Sequence, residues 1–189
     1  LLEKSPTDMH WRIAKEFARI ESNKFKKPWL AGEIFSVLDK FKYIIPQGSP
    51  MFGIGNNYQF TTLSNCYVLE IPEDSYGSIL KTDEQLIQIS KRRGGTGIDL
   101  SNLRPAGVST KNAAKSSTGI VPFMERYSNS IREVGQNNRR GALMLTLNVH
   151  HPEVLEFTTI KNDRRKVTGA NISLRLTQEF LDAEKSDKE

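Results

Sequence analysis

Apolar residues recur along this chain at two spacings, one helical and one too dense to alternate. Ile13, Phe17 and Ile20 stand four and three residues apart behind Ser5-Pro6-Thr7-Asp8, which supplies a hydroxyl N-cap and a proline at the first helical position. A first helix is predicted there, and Ile34, Leu38 and Phe41 predict a short second one. Between Tyr43 and Asn57, Pro46, Gly48, Pro50, Gly53 and Gly55 interrupt every period, so an irregular loop of the kind that holds ligands is expected. Ser64 to Ile71 is an apolar run that alternates poorly and reads as a buried strand. Thr82 and Gln85 have the spacing of a capping box, and Leu86, Ile89 and Arg93 mark a helix that stops at Gly94-Gly95. From Val121 to Val134, Phe123, Tyr127, Ile131 and Val134 share a helical face that ends before the polar turn Gly135-Gln136-Asn137-Asn138. Ala142 to Val149 predicts a second strand and Pro152 opens a third long helix. Asn171 to Leu176 predicts a further strand, with a helix after Thr177.

Strands that alternate with helices imply an α/β fold with parallel pairing, helices on both sheet faces and ligand loops at the carboxyl ends of the strands. Only three strands are visible, so a closed barrel of about eight would find less than half of itself here. No internal repeat or low-complexity segment interrupts the pattern.

Composition narrows the partners. Apolar residues make up 37% of the chain, enough to bury a core, and nothing suggests disorder. The formal charge of +5 comes from 27 Lys and Arg against 22 Asp and Glu, and the cations cluster at Lys91-Arg92-Arg93, Arg139-Arg140 and Arg164-Arg165-Lys166. Such clusters fit an anionic ligand, although the last is expected to be a solvated face. No apolar stretch approaches the roughly 20 residues of a membrane span and no secretory signal precedes the first helix, so a cytoplasmic protein is expected. The chain opens on Leu1 and closes on Glu184-Lys185-Ser186-Asp187-Lys188-Glu189, which suggests a fragment of something longer.

Cys66 is the only cysteine, so it makes no internal disulfide; it is either inert packing or the partner of a thiol elsewhere. Lys91 to Gly97 has the glycines and cations of a phosphate cradle, but a helix C-cap explains Gly94 equally well. Arg104 and Lys111 together offer a bidentate fork and a point charge to a triphosphate. Asp74-Ser75 suits either ribose hydroxyls or a helix cap. The polar loop Gln136 to Gly141 suits a nucleobase or bulk water. His150-His151 is rejected as a metal site, because neighbours in a strand point to opposite faces and no further ligand stands at the right spacing; His151 before Pro152 looks like a helix-cap position. No nucleophile triad or carboxylate pair is recognisable. Residue chemistry alone leaves a nucleotide-binding α/β fragment with one thiol.

Taken in order, the same segments resemble the large subunit of ribonucleotide reductase. The likeness runs through Gly48-Ser49-Pro50, Leu63-Ser64-Asn65-Cys66, Asp74-Ser75, Lys91 to Ser101, Leu103-Arg104-Pro105 and Ser117-Thr118-Gly119. It continues through Arg126 to Ser130, Gln136 to Ala142, His151-Pro152 and Thr168 to Ser173, and so spans nearly the whole chain. The resemblance implies an N-terminal helical segment over residues 1–45 and, over 46–189, the first part of a ten-stranded α/β barrel that houses radical chemistry. Cys66 matches the redox cysteine of the first barrel strand, one of two thiols that reduce the ribose 2′ position and become a disulfide. Ser49, Asn65, Cys66 and Gly95 match substrate-binding positions, with Ser49 and Asn65 replacing hydroxyl residues often found there. Asp74, Ser75 and Tyr76, with Arg104 and Lys111, match the site where a deoxynucleoside triphosphate or ATP binds as specificity effector. Gln136 and Arg140 match the loop that carries effector identity to the substrate base.

The family's thiyl-radical cysteine, in an Asn-Pro-Cys segment, occurs nowhere in the sequence, so the resemblance implies part of a larger or split enzyme that does not turn over by itself. The late phosphate-binding loop, the C-terminal reducing cysteines and the N-terminal ATP cone of many members are also missing. No metal site is expected in this chain. Adenosylcobalamin, or a dinuclear metal and radical centre on a small subunit, is implied as radical source, and the wording of Ile44 to Pro50 and of Arg126 to Ser130 is closer to cobalamin-dependent members. Implied partners are a ribonucleotide substrate, the remaining barrel segment, a second copy docked through the effector region, and a thioredoxin- or glutaredoxin-type reductant. Neither a membrane nor a nucleic acid polymer is expected. Two other readings stand beside this one: a nucleotide-binding regulatory module without redox chemistry, and a basic RNA-binding domain. The latter is disfavoured because the aromatics fall on apolar helix faces and not on an open sheet.

Overall fold

The first helix forms where its cap predicts it. In the computed structural model, which describes residues 3–134 and 141–186, α1 runs Pro6–Lys24 and Ser5 caps it. Ser5 Oγ accepts from Asp8 N–H at 3.2 Å, and Asp8 Oδ2 accepts from the amides of Lys4 and Ser5 at 2.9 and 3.0 Å. These bonds, the Lys4 amide foremost, hold the Asp8 carboxyl below its ordinary range. Ala14, not Phe17, completes the buried stripe: Ile13, Ala14 and Leu38 form a small core with α2 (Ala31–Leu38), while Phe17 is exposed. His10 is buried edge-on against Phe41, ring centroids 4.8 Å apart. The proline- and glycine-rich segment is not wholly irregular, since Gly48–Gly53 forms α3. Arg12 of α1 explains why it holds: its guanidinium donates to Met51 O at 2.6 Å and to Ile54 O, satisfying carbonyls at the end of that short helix. The chain divides into two compact units after Asn65, and this is the first.

The second unit is a four-stranded, wholly parallel sheet, β1 (Cys66–Val68), β2 (Gly95–Asp99), β3 (Leu143–Asn148) and β4 (Asn171–Arg175), in that spatial order. Parallel pairing follows the prediction, but there is one strand more than expected. Gly95-Thr96-Gly97-Ile98-Asp99 carries too few apolar residues to announce a strand, and its glycines suggest a loop. β1 is also shorter than the predicted run, and it is an edge, not a buried strand: Cys66 is exposed and Val68 is 93% exposed.

Helix α4 (Tyr76–Ser90) starts about two turns before the position the predicted cap gives it. Ser75 is the N-cap, its Oγ accepting from Ser78 N–H at 3.2 Å, whereas Thr82 lies inside the helix, buried, donating to Ser78 O at 3.0 Å. At the other end Arg93 N–H bonds Ser90 O at 2.9 Å and Gly94 N–H bonds Ile89 O at 3.1 Å, the paired bonds of a Schellman turn. The left-handed position belongs to Arg93, at φ +74°. Gly94 is needed for a different reason: a Cβ there would stand 2.4 Å from Ile89 Cγ2.

Helix α5 (Val121–Glu133) packs Met124, Tyr127 and Ile131 onto the core formed with Ile79, Leu86, Ile98, Leu145 and Leu147. The predicted long helix after Pro152 is only α6 (Val154–Thr159) with a 3₁₀ turn, Ile160–Asn162. Thr158, Thr159 and Ile160 are β-branched, and both threonine hydroxyls turn back to Leu155 O, which weakens continuation. Helix α7 (Gln178–Lys185) follows its Thr177 cap.

β2 and β3 bury alternate residues on the helix side, where Tyr67 of β1 and Ile172 and Leu174 of β4 are half-buried. The opposite face presents Cys66 and Val68, Gly95, Gly97 and Asp99, Met144 and Thr146, then Asn171, Ser173 and Arg175. Parallel sheets are normally covered on both faces, and this one is covered on one.

Candidate functional site

Two concavities flank this sheet. In the first, Asp74 and Ser75 precede α4, Tyr76 begins it, and Arg104 and Lys111 come from the segment after β2; all five line one cavity of about 790 Å³. A small hairpin shapes its rim. Gly107 N–H bonds Ser117 O at 3.0 Å, Ser117 N–H bonds Val108 O at 2.8 Å and Thr110 N–H bonds Lys115 O at 2.8 Å. Arg104 is anchored in it: its Nε donates to Asp74 Oδ2, its backbone N–H reaches Asp74 Oδ1 at 3.3 Å, and its Nη1 donates to Ser109 O at 3.2 Å. Ser75 takes the capping alternative. Asp74, a candidate for ribose hydroxyls, is held here by Arg104. The cavity joins cations, hydroxyls and an aromatic edge, Tyr76 lying against Phe123 with ring centroids 5.8 Å apart, a set able to grip phosphates and stack a base. Sequence reasoning missed Ser109, Ser117, Thr118 and Phe123 as lining residues; the hairpin that delivers most of them has no apolar alternation to reveal it.

The second concavity, about 630 Å³, lies on the open sheet face and is mostly apolar. Cys66 and Gly95 are direct register partners across β1 and β2, and Val68 pairs with Gly97. Above Gly97 a Cβ would meet nothing nearer than Tyr67 O at 4.0 Å, so the missing side chain leaves a trough beside the thiol strand. At the carboxyl end, Arg175 Nη1 lies 2.6 Å from Asp99 Oδ2. Asp99 Oδ1 accepts from Ser101 N–H at 2.9 Å and from its hydroxyl, and Ser101 Oγ accepts from Asn148 N–H at 2.8 Å. This pair was invisible without β2. The same strand takes Gly95 and Gly97 out of the phosphate cradle, leaving Gly94 to the helix end.

Ser49 and Asn65 meet inside the first unit, where Ser49 N–H donates to Asn65 Oδ1 at 2.7 Å. Gln136 and Arg140 lie outside the described residues. The two histidines part company. His150 Nε2 stands 2.7 Å from Thr177 Oγ1, while buried His151 turns its Nε2 to Leu103 O at 2.8 Å. Among the described residues no group of three or more His, Cys, Asp or Glu could hold a metal ion, and no helix is long and apolar enough to cross a membrane.

Residues 64–189 match the ribonucleotide reductase barrel domain family. The vitamin B12-dependent ribonucleoside-diphosphate reductase of Mycobacterium tuberculosis (strain CDC 1551 / Oshkosh) is 33% identical over 153 residues, covering 80% of this chain and 22% of that protein. The ribonucleoside-diphosphate reductase subunit alpha of Mycoplasma genitalium is 37% identical over 115 residues, 59% of this chain and 16% of that one. Among solved structures, the class Id ribonucleotide reductase alpha subunit of Actinobacillus ureae superposes with a TM-score of 0.76 over 98% of this chain and 32% of its own, at 17% identity, a likeness of fold. The parallel sheet and its helices therefore fit the expected partial α/β barrel. The chain spans about a fifth of the length of the curated relatives it matches.

Proposed function

This chain belongs to the ribonucleotide reductase barrel-domain family, and we propose that it supplies the first part of the catalytic barrel of a ribonucleoside-diphosphate reductase. The observation that carries the proposal is Cys66 on an uncovered sheet face, in register with Gly95, within the segment that matches the family. The open face becomes the inner wall of the barrel once the remaining segment is present. Ser49, Asn65 and Gly95 bind the ribonucleotide with Cys66. Cys66 and a second thiol from the remaining segment give two electrons and two protons to the ribose 2′ position, whose hydroxyl leaves as water. The thiols close to a disulfide that a thioredoxin- or glutaredoxin-type reductant reopens. The cavity of Asp74, Ser75, Tyr76, Arg104 and Lys111 takes a deoxynucleoside triphosphate or ATP as effector, with Gln136 and Arg140 relaying its identity. A second copy docks through this region. Relatives named as reductases favour this role over a regulatory module without redox chemistry.

Adenosylcobalamin is the proposed radical source, supported by vitamin B12-dependent relatives from Mycobacterium tuberculosis and Thermoplasma acidophilum. A dinuclear metal and radical centre on a small subunit is the second candidate. No residue of this chain is assigned to holding either. The reading is tested in an enzyme restored with the segment that carries the thiyl cysteine. Cys66→Ser should permit substrate activation but abolish multiple turnovers, and mass spectrometry of the oxidised wild type should find Cys66 bridged to the other segment. Full turnover by the Cys66→Ser enzyme would remove the assignment.

A further inference from the structure

We propose that the turn His151-Pro152-Glu153, at the carboxyl end of β3, is a positioning element for the nucleotide cavity, setting the spacing of two of its walls by hydrogen bonds made from behind. The inference rests on the reading of that cavity as a nucleotide site. None of the three residues lines the cavity, yet both outer members touch its frame. His151 Nε2 stands 2.8 Å from the carbonyl oxygen of Leu103, the residue before Arg104. A carbonyl oxygen only accepts, so this nitrogen bears the proton; Nδ1, 3.1 Å from Glu153 N–H, is the acceptor. Two backbone groups thus fix the ring as the neutral Nε2–H tautomer and seat it under the Arg104 wall.

Glu153 does the same for a second wall. Its Oε2 accepts from Ile120 N–H at 3.0 Å, at the start of α5. Gly119 approaches the same carboxylate at φ +80°, so close that a Cβ would fall 2.1 Å from Oε1. The two residues before Gly119, Ser117 and Thr118, line the cavity. Ser117 Oγ joins the walls by accepting from Gly119 N–H at 3.0 Å and donating to Arg104 O at 3.4 Å. Removing the Glu153 carboxylate would release Gly119 and Ile120, and the Ser117 link would carry that slack to Arg104.

Titration calorimetry of the full chain with dTTP tests this, beside amide hydrogen exchange of the ligand-free chain. Glu153→Ala should weaken dTTP binding about tenfold, a factor of the size one charge-assisted hydrogen bond supports. Glu153→Gln keeps an acceptor for Ile120 N–H and should restore wild-type affinity and wild-type exchange over residues 117–121. Gly119→Ala pushes on the same carboxylate from the other side and should also weaken binding while leaving the β3 amides protected, which keeps the test alive if Glu153→Ala does not fold. Unchanged affinity in the Ala variants, or equal loss in Glu153→Gln, would overturn the positioning role. Absence of dTTP binding by the wild type would instead defeat the nucleotide reading. The exchange pattern alone would then decide whether Glu153 braces this loop.

Discussion

Arg104 braces the proposed nucleotide cavity through Asp74 and Ser109 O, so it is where a single change should be most visible. Arg104→Ala should cost about 1.5 to 3 kcal/mol of triphosphate binding, roughly one to two decades in the calorimetric Kd. Lys111→Ala should cost less, because a point charge on a flexible stem forms no bidentate contact. A second residue gives a pH test. Tyr127 is fully buried and donates to Ile79 O at 3.1 Å. Burial first, then the Asp83 carboxylate, pushes its hydroxyl well above the ordinary tyrosine range. The folded chain therefore keeps a proton that the unfolded chain releases near the ordinary value of about 10, and stability should be intact below that pH and fall as pH rises above it. Urea midpoints measured at rising alkaline pH should show this slope in the wild type and a flatter one in Tyr127→Phe. Gathering of Asp74, Ser75, Tyr76, Arg104 and Lys111 was legible because their order carries the resemblance. Exposure of Cys66 was not, because an apolar run looks the same whether its strand is central or at an edge.

Helix boundaries divide cleanly by cause. The starts of α1 and α7 were legible because Ser5 and Thr177 stand directly before them, and the start of α4 was missed because Thr82 and Gln85 imitate a capping box inside the helix. The true cap makes a testable difference: Ser75→Ala should lower stability by about 1 kcal/mol, whereas Thr82→Ala leaves the start in place. Denaturant midpoints, with exchange of the amides of residues 76–79, separate the two. β2 was missed for the opposite reason. Its glycines leave a trough on the open face and its apolar content is only Ile98, so the strand lacks the signal by which strands are recognised.

The assembled sheet has an uncovered face and two edges, β1 and β4. Exposed edge amides and apolar surface favour pairing with another polypeptide. Alone in solution the chain should self-associate in a concentration-dependent manner, and the remaining barrel segment should suppress this. Sedimentation at rising concentration checks it, with exchange of residues 171–175 as local readout; a stable monomer protected there would count against an unfinished barrel.

The Asp99 and Arg175 pair also predicts an order of folding. Arg175 belongs to β4, yet its partner lies two strands away on β2, so β4 cannot complete its contacts until β2 and β3 are both seated. A β4 that docks one residue out of register turns Arg175 to the opposite face, away from Asp99. The pair is therefore expected to favour the correct register of β4. Pulse-labelled refolding should show residues 95–99 protected before 171–175, and Arg175→Met should blur that delay by letting misregistered β4 persist.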